Sequence, residues 1–332
     1  MNQDGGFLRN LFSNDEGEIR SGWRAFSFYL LFVIILLMLN SLAAAVAQVP
    51  AIGIELSPPQ PTRPATGRDM LVMGIIWTLQ LVSAIIASAI CVRALERRSF
   101  ASIGFKLHRG WVRDFLYGSL AGGATLALAV AIAAATGAMQ IGQQETDPAR
   151  LAIGFLSLSI TLFIAAAFEE LILRGFPFQA LVHNIGPVMT VAITSILFGL
   201  LHYRNPDVTL LSTFNTTLAG VWLAVAYLLT RSLWLTTALH YSWNLAMVFV
   251  FGLPVSGITM YSHMAWLDAR PGDPVWVSGG GYGPEGGIAA TLALVASILF
   301  IWKSGLFSPS GEMLSAIRHG SIDATEDGPA DA

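Results

Sequence analysis

Charge is scarce in this chain. Of its 332 residues only 12% are Lys, Arg, Asp or Glu, while 54% are hydrophobic. Mean hydropathy is +0.63, which excludes the two or three soluble domains that the length would allow and describes a polytopic membrane protein. Cysteine is almost absent too. The single Cys91 sits inside an apolar run, so a disulfide framework and a cysteine-based metal site are excluded. A basic stripe is also missing: the net charge is −3 and the basic residues are scattered around apolar runs, so nucleic acid is set aside as a partner. Nor does an internal repeat argue for an inverted-repeat transporter.

What the chain has is apolar length. Crossing a hydrocarbon core of roughly 30 Å takes about 20 residues of helix. Eight stretches qualify as spans: 25–48, 70–92, 115–136, 151–173, 187–203, 208–230, 232–251 and 287–302. The expected fold is all-α, a polytopic membrane bundle of about eight transmembrane helices around an intramembrane cavity. Residues 1–24 form a leader, 25–305 the transmembrane domain with its motif core at about 150–250, and 306–332 an acidic, disordered tail. Arg20 and Arg24 before the first span and "AVAQ" at 45–48 resemble a cleavable signal. The apolar run is longer than a signal peptide's, however, and the leader carries Asp4, Asp15, Glu16 and Glu18, so a retained helix is expected. "SPPQPTRPATG" at 57–67 and the Gly/Pro-rich 269–287 read as outer linkers. With both termini in the cytoplasm, thirteen Lys and Arg residues lie inside and only Arg63, Arg68, Arg150, Arg204 and Arg270 lie outside, as the positive-inside bias requires. The expected location is a bacterial inner membrane.

Against this background a few polar residues stand out, because a charge within a bilayer costs about 2.5 kcal/mol or more and so calls for a function and a partner. They are Glu169, Glu170 and Arg174 in "EELILR", His202 in "FGLLH", and His240 and Asn244 in "HYSWN". Adjacent helical positions point about 100° apart, so Glu169 and Glu170 cannot both face one cavity. Glu170 and Arg174 are spaced i, i+4 and can neutralise each other, which leaves Glu169 to point elsewhere. Phe198 with His202, and His240 with Asn244, repeat the same spacing. If these helices pack together, Glu169, His202, His240 and Asn244 converge in a polar pocket. A carboxylate in an apolar setting can take a proton from water, and imidazole or amide groups can hold the resulting oxyanion. The same side chains, above all Glu169, His202 and His240, could instead ligate zinc, and spacing does not choose between the two. Buried polar residues also simply join transmembrane helices, which for any one of these residues is the plainer reading. His183 reads as interfacial, and His108, His263 and His319 fall outside the set.

In order, the three motifs resemble those of the CPBP family of intramembrane endopeptidases, which includes the type II CAAX prenyl proteases and bacterial Abi relatives. Glu-Glu-x-x-x-Arg is matched at 169–174, Phe-x-x-x-His at 198–202 and His-x-x-x-Asn at 240–244, all within 76 residues. "RGFPFQAL" after the first motif and "RRSFASIGF" at 97–105 are similar to the family in style. The resemblance implies a peptidase acting on a membrane protein or lipidated peptide within the bilayer. Glu169 and His202 would activate water and His240 and Asn244 would hold the oxyanion, with no catalytic metal and no cofactor. Glu170, Arg174 and Phe198 would support the site. Rival readings are a non-catalytic immunity or scaffold member of the same fold, a proton-coupled transporter, and a zinc-dependent version of the hydrolysis. One difficulty is geometric: straight crossings would hold Glu169 near the inner surface and His202 near the outer end of its span. The expectation is therefore that 175–186 form a short helix within the membrane, or that the fifth and sixth spans are tilted or partial.

Overall fold

A computed structural model describes residues 12–13, 17, 19–48, 55–144 and 147–318. Each of the eight expected spans is helical: α1 Ser21–Ala47, α2 Gly67–Glu96, α3 Trp111–Ala135, α4 Pro148–Arg174, α5 Phe176–Leu201, α6 Leu210–Thr230, α7 Leu233–Leu245 and α8 Ile288–Lys303. Among the described residues five stretches are long and apolar enough to cross a membrane, with α4 and α5 together forming one of them at Pro148–Leu201. The other two expected spans are shorter: α7 reaches the length of a span only with the π-helical turn Ala246–Val250, and α8 has 16 residues. Large apolar side chains such as Leu37, Met38, Leu120 and Ile153 remain exposed around the bundle, as a lipid-facing surface requires. The protein is an integral membrane protein.

The ends of the helices follow from local sequence. Thr66 and Asp69 form a reciprocal capping box at the start of α2, and Thr209 and Ser212 form one at the start of α6. Asp147 caps α4 ahead of Pro148, a residue suited to a first helical turn. The connections fall into two sets, as alternating spans demand. On one side Ala65 N–H donates to Met260 O, and β1 (Met139–Gln143) pairs antiparallel with β2 (Leu267–Pro271), Ile141 facing Ala269. On the other side Arg24 pairs with Glu96 at 3.6 Å, Leu233 N–H donates to Gly104 O, and Gln179 donates to Ser102 O.

Two breaks shape the centre of the chain. α4 ends at Gly175, and Gly186, at φ 77° and ψ 167°, splits α5 into 176–185 and a second helix that begins at Pro187. The positive φ suits glycine, and the proline that follows starts the next helix without needing a donor. The short helix expected at 175–186 is thus present as a separate segment. Close packing then comes from small residues. A Cβ at Gly118 or Gly122 would run into the backbone of α7 at Leu235 and Leu239, so these glycines let α3 lie directly on α7.

Two expectations need correction. The Gly/Pro-rich 269–287 is no loose linker. It carries β2, a helical turn at Val275–Ser278 and two 3-10 turns, and it buries Ser278 and Tyr282. Glycines let it fold back tightly, because a side chain at Gly279 or Gly287 would collide with the segment's own backbone. The tail is not disordered throughout: Phe307 and Met313 are buried and a helix, α9, spans Gly311–Arg318. Residues 319–332, with His319, lie outside the described residues, as does most of the leader.

Candidate active site

α7 is the central element, packed against α3, α4 and α6. His240 lies seven residues into it, about 10 Å along the axis, and Asn244 one turn deeper. Gly220 is ten residues from the end of α6, a similar depth. Glu169, whose Oε2 is 3.9 Å from His240 Nε2, therefore lies level with the interior of α7. The chain continues past Arg174 into the 176–185 helix, which places the first motif inside the helical layer.

There the two acids part company. Glu170 is fully buried, and one of its oxygens, Oε1, accepts from Arg174 Nη1 at 3.1 Å and from His240 Nδ1 at 3.0 Å. Arg174, also fully buried, donates through Nη2 to Gly220 O at 3.0 Å, and its guanidinium lies 5.0 Å from the centre of the Phe198 ring. Gly220 also lets α6 lie close on α5, since a Cβ there would press into Ser195. Glu169 has a side chain 21% exposed, and its Oε2 stands 3.9 Å from His240 Nε2, too far for a hydrogen bond. Glu169, Glu170, Arg174 and a protonated His240 sum to zero charge, so the cluster can be self-compensated away from water.

Phe198 is the meeting point of the two histidines. Its ring lies edge-on to His202 at 4.8 Å and to His240 at 5.8 Å. His202 Nδ1 donates to Phe198 O at 2.9 Å, which commits the Nδ1 proton and leaves Nε2 as the imidazole's open position. Among the described residues no hydrogen bond or ion pair joins Glu169 to His202, and the Phe198 ring contacts both histidines. Asn244 is half-buried on the His240 face of α7. Four buried atoms of this cluster lack any hydrogen-bond partner in the protein: Glu169 Oε2, Glu170 Oε2, Arg174 Nε and Asn244 Oδ1.

The structure thus brings Glu169, Glu170, Arg174, Phe198, His202 and His240 into one connected set, with Asn244 beside it. Among the described residues no three His, Cys, Asp or Glu side chains are grouped to hold an ion. The other histidines stand apart, as expected. His183 is exposed and lines a separate cavity of about 480 Å³ beside Arg24, Glu96 and Arg98. His108 is buried against Asp114 at 3.4 Å, and His263 is exposed.

Three features escaped sequence reasoning. The bond between His240 and Glu170 joins residues 70 positions apart, with no local spacing to announce it. The carbonyl of Gly220 has no side-chain signature. Trp243, inside the third motif, donates its indole N–H to Glu285 of the 269–287 segment at 3.2 Å; the hint there was a lone acid in a glycine-rich run.

Comparison with known proteins bears on this site. Residues 149–246, which hold all three motifs, match the family model described as type II CAAX prenyl endopeptidase Rce1-like. No curated protein and no solved structure matches the chain.

Proposed function

Since residues 149–246 belong to the Rce1-like family of CAAX-type endopeptidases, we propose that this protein hydrolyses a peptide bond of a membrane protein or lipidated peptide with a water activated by its own side chains. One observation carries this reading: the adjacent carboxylates are unequally engaged. Glu170 is held by Arg174 and His240, whereas Glu169 keeps a buried oxygen with no hydrogen-bond partner beside His240.

In the proposed mechanism Glu169 takes a proton from water as the water oxygen attacks the scissile carbonyl. His202 Nε2, the open acceptor of its ring, helps to orient that water. The carbonyl oxygen becomes an oxyanion. It is held by His240 Nε2–H, available when the ring is protonated with Nδ1–H given to Glu170, and by the amide of Asn244. Glu169 then returns its proton to the leaving amine as the C–N bond breaks. Arg174 and Glu170 fix His240 and leave Glu169 free to face the reacting atoms. No step in this scheme uses a metal.

The test uses the purified full-length chain in detergent with a farnesylated peptide ending in a CAAX sequence. Cleavage is expected with wild type, and it should persist in the presence of a chelator. Membranes bearing Glu169→Ala should accumulate an uncut membrane protein or lipidated peptide relative to wild type. Cleavage by Glu169→Gln at the wild-type rate would overturn the reading. Flux of protons or cations lost in that variant, with no processing event changed, would favour a transporter.

A further inference from the structure

Outside the acid cluster stands another well-connected carboxylate, Glu285, in the glycine-rich segment that folds over one end of the bundle. Both of its oxygens are used. Oε2 accepts from the backbone N–H and the hydroxyl of Ser256, each at 2.7 Å, and Oε1 accepts from the Trp243 indole at 3.2 Å. Its carbonyl accepts from Asn215 of α6 at 2.9 Å. Among the described residues no Lys, Arg or His forms an ion pair with it. A carboxylate that spends both oxygens on neutral donors is fixing geometry, because an amide of the same shape offers only one acceptor oxygen.

The connection continues. Ser256 O accepts from Asn205 Nδ2 at 3.0 Å, and Asn205 N–H donates to His202 O at 3.1 Å. The contact between the two loops is close: a side chain at Gly257 would overlap the Pro206 backbone, and one at Gly281 would press on Asp207. Trp243 immediately precedes Asn244 and lies one turn from His240. A short chain of hydrogen bonds therefore runs from the third motif through Glu285 and Ser256 to the end of the second motif. Within the bundle, the Phe198 ring touches both histidines.

We propose that Glu285 is a positioning residue: it clamps α7 at Trp243 to the 202–209 turn through Ser256 and Asn205, and so sets the separation of His202 from His240 and Asn244. The inference rests on the endopeptidase reading above. Catalytic groups must be held to well under 1 Å, since a misplacement of about that size can cost on the order of a hundredfold in rate. A clamp at the adjoining ends of two helices is suited to hold them so.

Purified Glu285→Gln, Trp243→Phe and the double variant would be compared with wild type in two ways. One is turnover of the farnesylated CAAX peptide; the other is hydrogen–deuterium exchange of the amides in 202–209. Glu285→Gln is expected to lower kcat about tenfold with KM changed less than about twofold, and to speed exchange in 202–209. Trp243→Phe should lower kcat in the same sense, and the double variant should be no worse than the poorer single one, as for residues acting as a unit. If Glu285→Gln does not fold, Trp243→Phe carries the test alone. Unchanged kcat, or slower turnover with unchanged exchange in 202–209, overturns the clamp. If wild type fails to cleave the peptide, the endopeptidase reading is what has failed. Exchange then decides the clamp by itself: faster in Glu285→Gln supports it, unchanged overturns it.

Discussion

Two groups of buried polar side chains lie within the helical layer, and they are built differently. Where α3, α6 and α8 meet, Thr125 donates to Ser297 at 2.8 Å and the Trp222 indole donates to the same hydroxyl at 2.9 Å. None of these three side chains is left with an unpartnered buried atom. In the Glu169 cluster four buried atoms have no partner, although charged groups there are costlier to leave unsatisfied. The first group closes its own hydrogen bonds. The second keeps bonding capacity that no protein group uses, and in the proposed mechanism a water and a polarised carbonyl would take it up.

The largest effect that would break this contrast is at Glu169. Glu169→Gln keeps shape and removes the base, so kcat on the farnesylated peptide should fall by about a thousandfold or more while circular dichroism and melting temperature stay as in wild type. A variant that melts early but still cleaves would make the acid cluster another helix junction. Glu170→Ala leaves the buried Arg174 guanidinium and the His240 ring without their shared carboxylate. Unfolding in mixed detergent should show a loss of about 3–5 kcal/mol, larger than any change seen at Glu169. Asn244→Ala should lower kcat about a hundredfold with little change in KM, as for the removal of one oxyanion donor, and steady-state kinetics separates the two. The smallest effect is reserved for the closed junction: Ser297→Ala leaves the Trp222 indole without its acceptor and should cost about 1–2 kcal/mol in unfolding with turnover unaltered. A large loss of activity there would erase the distinction between the two regions.

Much of the architecture was legible because membrane helices are written in long apolar runs. All eight stretches are helical, and the pairing of Glu170 with Arg174 followed from a spacing of four residues. The breaks were harder to read. Gly186 and Pro187 mark the split in α5, yet the depth it gives Glu169 depends on how the segment after Gly175 packs against Ser102 and Tyr227. The glycine-rich 269–287 looked like a linker because the same glycines that loosen an exposed chain allow close approach in a packed one. Its order comes from Glu285, Ser256 and Asn215, whose partners lie on other elements.

By itself the sequence determined that Glu169 and Glu170 must do different things, since neighbours on a helix point about 100° apart and only one of them reaches Arg174. It also set the order and spacing of the three motifs. Tertiary structure alone decided that His240 Nδ1 is hydrogen-bonded to Glu170, that Phe198 touches both histidines, and that Trp243 is tied to Glu285. These are contacts between helices distant in sequence. They depend on kinks at Gly175 and Gly186 and on small residues such as Gly118, Gly122 and Gly220, which bring backbones close enough for side chains on different helices to meet.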